Sequence, residues 1–259
     1  MHHAEDTSAW DSLDQVTGTL VASVQAHFIA AIKLATVRIE PFAHMAVDNV
    51  LPNDVFELLS SDLPSFDSLL LMSKAGMSSV ARYERRAMRP VAELSDRRHP
   101  AVWRAVARAL DSAEVETTIV HMFAPWFDEC MRTSLARPLR REVRVHCDLA
   151  GSHLTPHTDA PSMFVTSFIY LQGGSQHPSL DTVLYEPLDP EGRNRLLDGV
   201  EYAHEDPSWH RRVGRVEFRP NRMFSFLRTS NSLHGLEAIT EEAAPRYSLS
   251  LHLKYFKGK

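Results

Sequence analysis

Cysteine is nearly absent: Cys130 and Cys147 are the only two in 259 residues. Neither has a neighbour at metal-site spacing, so neither a disulfide framework nor a thiolate metal cage is indicated. That usage fits a reducing compartment, and a cytoplasmic location is expected. Long apolar runs are missing too. No stretch approaches the about 20 residues needed to span a bilayer, and the first residues are too polar for a signal peptide. Nor is there a surplus of basic charge. The formal net charge of −5 offers no global field to attract nucleic acid and favours solubility. Internal repeats are lacking, and nothing suggests a hinge between two independent domains.

What is present begins in the second half. The run REVRVHCDLAGSHLTPHTDAPSMFVTSFIY, from Arg141 to Tyr170, places His157 and Asp159 two positions apart. The flanking segments are rich in β-branched and aromatic residues and read as strands. Side chains alternate faces along a strand, so two extended residues separated by one point the same way and can converge on one ion. A third ligand is best supplied by His234, in the short extended segment NSLHGLE. Two histidines and one carboxylate make the facial triad that leaves positions open on non-haem Fe(II). Zinc also accepts such a set.

Arg246 bears on that choice. It opens RYSLSLHLKYF, in which Arg246, Ser248 and Ser250 share one strand face while Tyr247, Leu249 and Leu251 share the other. A guanidinium at the rim of an otherwise apolar barrel needs a carboxylate, and its rigid fork suits bidentate pairing. A dicarboxylate co-substrate meets that need.

The pieces PHTD at Pro156 to Asp159, TSNSLHG at Thr229 to Gly235 and RYS at Arg246 to Ser248 together resemble the Fe(II)- and 2-oxoglutarate-dependent dioxygenases, in their compact bacterial branch. The resemblance is close over the second half and looser over PFAHMAVDNVLPNDVFELLSSDLP. It implies that His157, Asp159 and His234 hold Fe(II), and that Arg246 and Ser248 grip the distal carboxylate of 2-oxoglutarate. It further implies O2 as second co-substrate and hydroxylation of a small molecule, an amino acid or a derivative of one, in specialised metabolism. Related halogenases carry Gly or Ala where Asp159 stands, so halogenation is disfavoured. The alternatives are a protein or peptide side-chain hydroxylase, a desaturase or cyclase using the same chemistry, and a non-enzymatic jelly-roll binding protein. The last would not need a complete triad with Arg246.

Strands are expected near 141–146, 155–157, 164–171, 182–185, 215–218, 223–227, 233–236 and 247–255. Eight such segments suit a double-sheet jelly roll. The expected fold class is a mainly β core with α-helical additions, a double-stranded β-helix that is cupin-like. A single dioxygenase domain is expected over 1–259, with 1–140 supplying helical support and entry segments and 141–259 the jelly-roll core.

In the first half, 1–15 reads as frayed. Leu20, Val24, Phe28, Ile32 and Ala35 place a helix over 16–37 that Pro41 interrupts. An extended segment at 44–50, a short helix through Leu59 and one amphipathic helix in AVWRAVARALDSAEV follow. His44 reads as a surface or packing residue. Gly173 and Gly174 are expected to turn the chain, and 187–214 to form a long irregular insertion, a candidate lid. Candidate substrate contacts are Arg82 and Arg85 in the cluster ARYERRAMRP, Arg144, His153 and Trp209. The cluster's charge favours a carboxylate-bearing substrate, and nothing in the chain fixes an oligomeric state.

Overall fold

The computed structural model describes residues 7–71, 85–87, 100–135, 138–172, 176–196 and 205–255. Its first element is a long helix, α1 (Thr7–Lys33), which buries Val24, Phe28 and Ile32 completely. These lie four residues apart and so on one face. The helix begins at Thr7 rather than Val16: the segment before Val16 lacks an apolar period, but it holds neither proline nor glycine to stop a helix propagating. It also ends well before Pro41, where Arg38 bridges to His44.

The helix α2 (Asn53–Ser61) buries Val55 and Leu59. The segment read as one amphipathic helix is two, α3 (Ala101–Leu110) and α4 (Ala113–Phe123). The Ser112 side chain accepts from the Val115 amide at 3.3 Å and starts α4 afresh. A short α5 (Glu129–Ser134) is capped in the same way by Asp128. Helices α3 and α4 both pack on α1.

Eleven described strands form two antiparallel sheets. The larger has the order β1 (His44–Val47), β9 (Met223–Leu227), β6 (Met163–Gln172), β11 (Arg246–Lys254), β4 (Arg140–Asp148), β3 (Arg85–Ala87) and β2 (Leu70–Leu71). The smaller has the order β5 (Leu154–His157), β10 (His234–Leu236), β7 (Thr182–Pro187) and β8 (His210–Val216). Three strands of the larger sheet, β1 to β3, come from the first half of the chain. Neither sheet is closed on itself among the described residues, and with its helices the fold is mixed α/β.

The period of two explains where the core sits. Val143, Val145, Val165, Ile169, Leu249, Leu251 and Leu253 face one way and join the helices in one apolar cluster. Phe168, Tyr170, Phe224 and Phe226 face the other way and meet Leu180, Leu184 and Leu236 from the smaller sheet and its flank. The second face also carries buried polar residues: His146, Asp148, Thr166, Arg246, Ser248 and His252. Buried polar groups need partners, so a polar lane down an apolar sandwich marks the place to look for chemistry.

The insertion over 187–214 is not irregular where it is described. It holds α6 (Pro190–Leu196), and β8 pairs with β7 from Pro187↔His210 to Thr182↔Val216. A buried network fastens it. Arg193 donates to both Glu205 oxygens at 2.8–3.0 Å, His210 Nε2 lies 2.7 Å from Glu205, and Arg193 also donates to the Ser230 carbonyl. The Glu205 amide donates to the carbonyl of Pro156, next to His157. The insertion is thus tied to both segments that carry histidines. The Gly173–Gly174 turn lies outside the described residues.

Candidate metal centre

Strands β5 and β10 pair so that His157 and His234 are direct cross-strand partners. Their ring centroids lie 4.4 Å apart. Each imidazole is oriented in the same way: Nδ1 of His157 meets the Thr155 carbonyl at 2.8 Å, and Nδ1 of His234 meets the Ser232 carbonyl at 3.0 Å. A carbonyl can only accept, so Nδ1 carries the proton in both rings and Nε2 is the lone-pair nitrogen. Phe226 supports the His234 ring at 4.5 Å.

Asp159 follows His157 by two residues and turns its carboxylate to the same point, with Oδ1 3.9 Å from His234 Nε2. Thr166 of β6 donates to Oδ2, and Arg228 Nε donates to the Asp159 carbonyl at 3.0 Å. One ligand atom from each of His157, Asp159 and His234 lies within 4.8 Å of the others. Burial pushes the Asp159 carboxyl up, but the nearby His234 and His157 imidazoles and the Thr166 hydroxyl outweigh it and hold the group below its ordinary value. The carboxylate is therefore charged and ready to bind a cation.

Gly235 explains how two histidine-bearing strands come so close. A Cβ on Gly235 would lie 2.6 Å from the Leu154 carbonyl oxygen and 3.3 Å from that of Thr155, and backbone cannot give way as a side-chain tip can. Gly235→Ala is expected to push β10 from β5, costing about 1–3 kcal/mol. It should weaken divalent-metal binding although every ligand remains, and calorimetric titration of the apoprotein with Fe(II) under argon tests this. Wild-type affinity in that variant would show that β5 and β10 need no close approach.

Arg246, fully 12 residues beyond His234 in the chain, spans the gap between the sheets. Its Nε donates to the Leu180 carbonyl at 2.9 Å, one terminal nitrogen to Asp148 at 3.3 Å and the other to Thr182 Oγ1 at 3.4 Å. The rings of Tyr170 and Phe218 lie 5.2 and 5.3 Å from its guanidinium carbon. A guanidinium has five N–H donors, so these three contacts leave two. On the same strand face, the fully buried Ser248 hydroxyl has no hydrogen-bond partner among the described residues. Unmet donors of this kind fit an anionic ligand held between the sheets. The donor set of the triad fits Fe(II) equally well: one carboxylate and two neutral imidazoles with positions left open. The protein thus carries the metal-ligand set of a non-haem iron oxidoreductase.

The candidate substrate contacts fare differently. Arg144 pairs with Glu142, which also holds Lys254, so its charge is engaged within the sheet. His153 sits beside the Gly151 carbonyl at 3.3 Å, and Trp209 ends a short turn with 41% of its surface exposed. The structure does not bring these two into the triad. Only the backbone of Arg85 is described, in register with Asp148, and Arg82 lies outside the described residues. Cys147 is buried and Cys130 exposed, and no disulfide joins them. His44 is a packing residue, its ring tilted against Phe42 and edge-on to Phe224.

Three residues close to the triad escaped the sequence reading. Thr166 and His252 are cross-strand partners on β6 and β11, and both act on Asp159. Arg228 continues the alternation of Phe224 and Phe226 past the end of β9, which is the signal that could have found it. Burial depresses the Arg228 guanidinium, against which the Asp159 carboxylate works.

No protein-family model and no curated protein matches the chain. Solved structures do resemble it. The prolyl hydroxylase from Trichoplax adhaerens, in complex with a hypoxia inducible factor oxygen degradation domain peptide fragment, has 14% identity over 97% of this chain and 94% of that one, with a TM-score of 0.45. A Pseudomonas putida prolyl-4-hydroxylase has 14% identity over 88% and 99%, with a TM-score of 0.46. HygX from Streptomyces hygroscopicus, with nickel and 2-oxoglutarate bound, has 12% identity over 83% of each chain and a TM-score of 0.48. These are distant likenesses. No helix among the described residues is long and apolar enough to cross a membrane.

Proposed function

We propose that the protein is an Fe(II)- and 2-oxoglutarate-dependent oxygenase that hydroxylates an amino acid or a small molecule derived from one. The observation that carries this reading is the convergence of His157, Asp159 and His234 within 4.8 Å, with both histidines presenting Nε2. In this reading the facing sheets are the two halves of a double-stranded β-helix, the chain is one domain, and two cysteines without a disulfide suit the cytoplasm.

When bound, Fe(II) with 2-oxoglutarate and O2 supplies an oxidative decarboxylation to succinate and CO2 and the transfer of one oxygen atom into a C–H bond. The residues prepare for that chemistry. Thr155 and Ser232 fix the imidazole tautomers through their carbonyls, and Thr166 fixes the carboxylate rotamer, so the metal site needs little reorganisation to form. Arg246 and Ser248 take the distal carboxylate of 2-oxoglutarate through charge-assisted hydrogen bonds. Phe168, Phe226 and Leu236 line the interior with apolar surface and keep bulk water from the reacting centre.

Anaerobic addition of 2-oxoglutarate to the Fe(II)-loaded protein should produce a weak visible charge-transfer absorption band. Admission of O2 should then yield succinate, in excess over the uncoupled background when a substrate is present. A protein that binds Fe(II) yet gives neither the band nor succinate is not such an oxygenase, and zinc binding by itself is no support.

A further inference from the structure

Two ends of the interior can be told apart along β6, whose residues rise by about 3.4 Å each. Ser248 is in register with Tyr170 near one end of β6, and Arg246 lies beyond it. At the other end, the Arg228 amide donates to the Phe164 carbonyl and the Tyr255 amide to that of Ser162. Thr166, which holds Asp159, stands between. The six steps from Phe164 to Tyr170 cover roughly 20 Å, so Arg246 and Arg228 approach the metal centre from opposite sides.

Three of the described cations on the Arg228 side are engaged. Arg193 forks onto Glu205 and reaches the Ser230 carbonyl, while Lys254 and Arg144 both pair with Glu142. Arg228 spends its Nε–H on the Asp159 carbonyl. Among the described residues, its two terminal nitrogens have no acceptor. It is half-buried, and its guanidinium loses hydration that the Asp159 carboxylate offsets only in part. Its remaining four N–H groups form the planar fork that matches a carboxylate, and the Nε contact sets that fork beside a metal ligand.

We propose that Arg228 anchors a carboxylate of an amino-acid-like substrate beside the metal centre, on the side opposite Arg246. The proposal rests on the oxygenase reading and deepens it by naming the substrate's recognised group. With Asp159 held by the same side chain, the bound acid lies next to the metal, and the C–H bonds closest to its carboxylate are the ones presented for attack.

The test uses the full chain loaded anaerobically with Fe(II) and 2-oxoglutarate. Its charge-transfer band is followed during titration with the twenty common L-amino acids and, separately, with their carboxamides. At least one acid should perturb the band and bind at least about tenfold more tightly than its carboxamide, as expected for a charge-assisted pair. Arg228→Gln should weaken that acid by about tenfold or more, Arg228→Lys should recover part of the loss, and the 2-oxoglutarate dissociation constant should stay within about twofold of wild type. The anchor is overturned if no acid perturbs the band, if carboxamides bind as well, or if Arg228→Gln binds the acid as wild type does. It is equally overturned if Arg228→Gln weakens 2-oxoglutarate instead, since the arginine then serves the co-substrate. A wild-type protein that binds Fe(II) but forms no band with 2-oxoglutarate removes the oxygenase reading itself, a result distinct from all of these.

Discussion

Single replacement of His157, Asp159 or His234 by alanine should abolish near-stoichiometric Fe(II) binding, lowering affinity by more than the about 10- to 100-fold that accompanies loss of a supporting partner. Each variant leaves two donors, and an ion that prefers three or more protein ligands then competes poorly with its own hydration. Asp159→Ala has the further effect of removing the negative charge that offsets the cation, and it leaves the Thr166 hydroxyl without the carboxylate it now donates to. The fold should survive all three changes, because the apolar cluster between the sheets is built from other side chains. Equilibrium dialysis against Fe(II) under argon, with circular dichroism to check folding, gives the result. If the three folded variants bind iron as wild type does, the triad assignment fails.

The convergence of His157, Asp159 and His234 was legible in the sequence because each obeys local rules. His157 and Asp159 sit two apart at the end of β5, where alternation gives them one direction, and His234 sits on a strand short enough to be bounded by its turn chemistry. The strands of the second half were legible for the same reason, and 223–227 agrees with β9 at both ends. The insertion was not. Its stability comes from Arg193, Glu205 and His210, which meet only after the chain has folded back, and such a network leaves no periodic trace. The break between α3 and α4 was visible in principle, since Asp111 and Ser112 are capping residues, yet the apolar period runs across them. Arg228 illustrates a different limit. Its alternation with Phe226 gives its direction, whereas its position beside Asp159 depends on a loop contact that the sequence does not encode locally.

Arg246→Ala should have a large effect of a second kind, on the stability of the whole protein. Arg246 and Asp148 are cross-strand partners that form an ion pair at 3.3 Å with only 5% and 1% of their side chains exposed. Truncating the arginine strands a buried carboxylate from its cation, and loss of one member of such a pair costs about 3 kcal/mol or more. It also releases the Leu180 carbonyl and Thr182 hydroxyl that tie the smaller sheet to the larger. Urea unfolding should show a lower midpoint with an unchanged slope. Weakened 2-oxoglutarate binding in this variant would therefore be ambiguous between a lost clamp and a loosened interior. Arg246→Lys separates the two. An ammonium can stay near Asp148 but cannot form the planar fork, so stability should largely persist while the 2-oxoglutarate dissociation constant rises by about tenfold. Ser248→Ala removes a buried hydroxyl that has no partner among the described residues, so it should not lower stability and should weaken the co-substrate less than Arg246→Lys does. Wild-type 2-oxoglutarate affinity in a folded Arg246→Lys protein would remove Arg246 from the carboxylate site and leave it as the tie between the sheets.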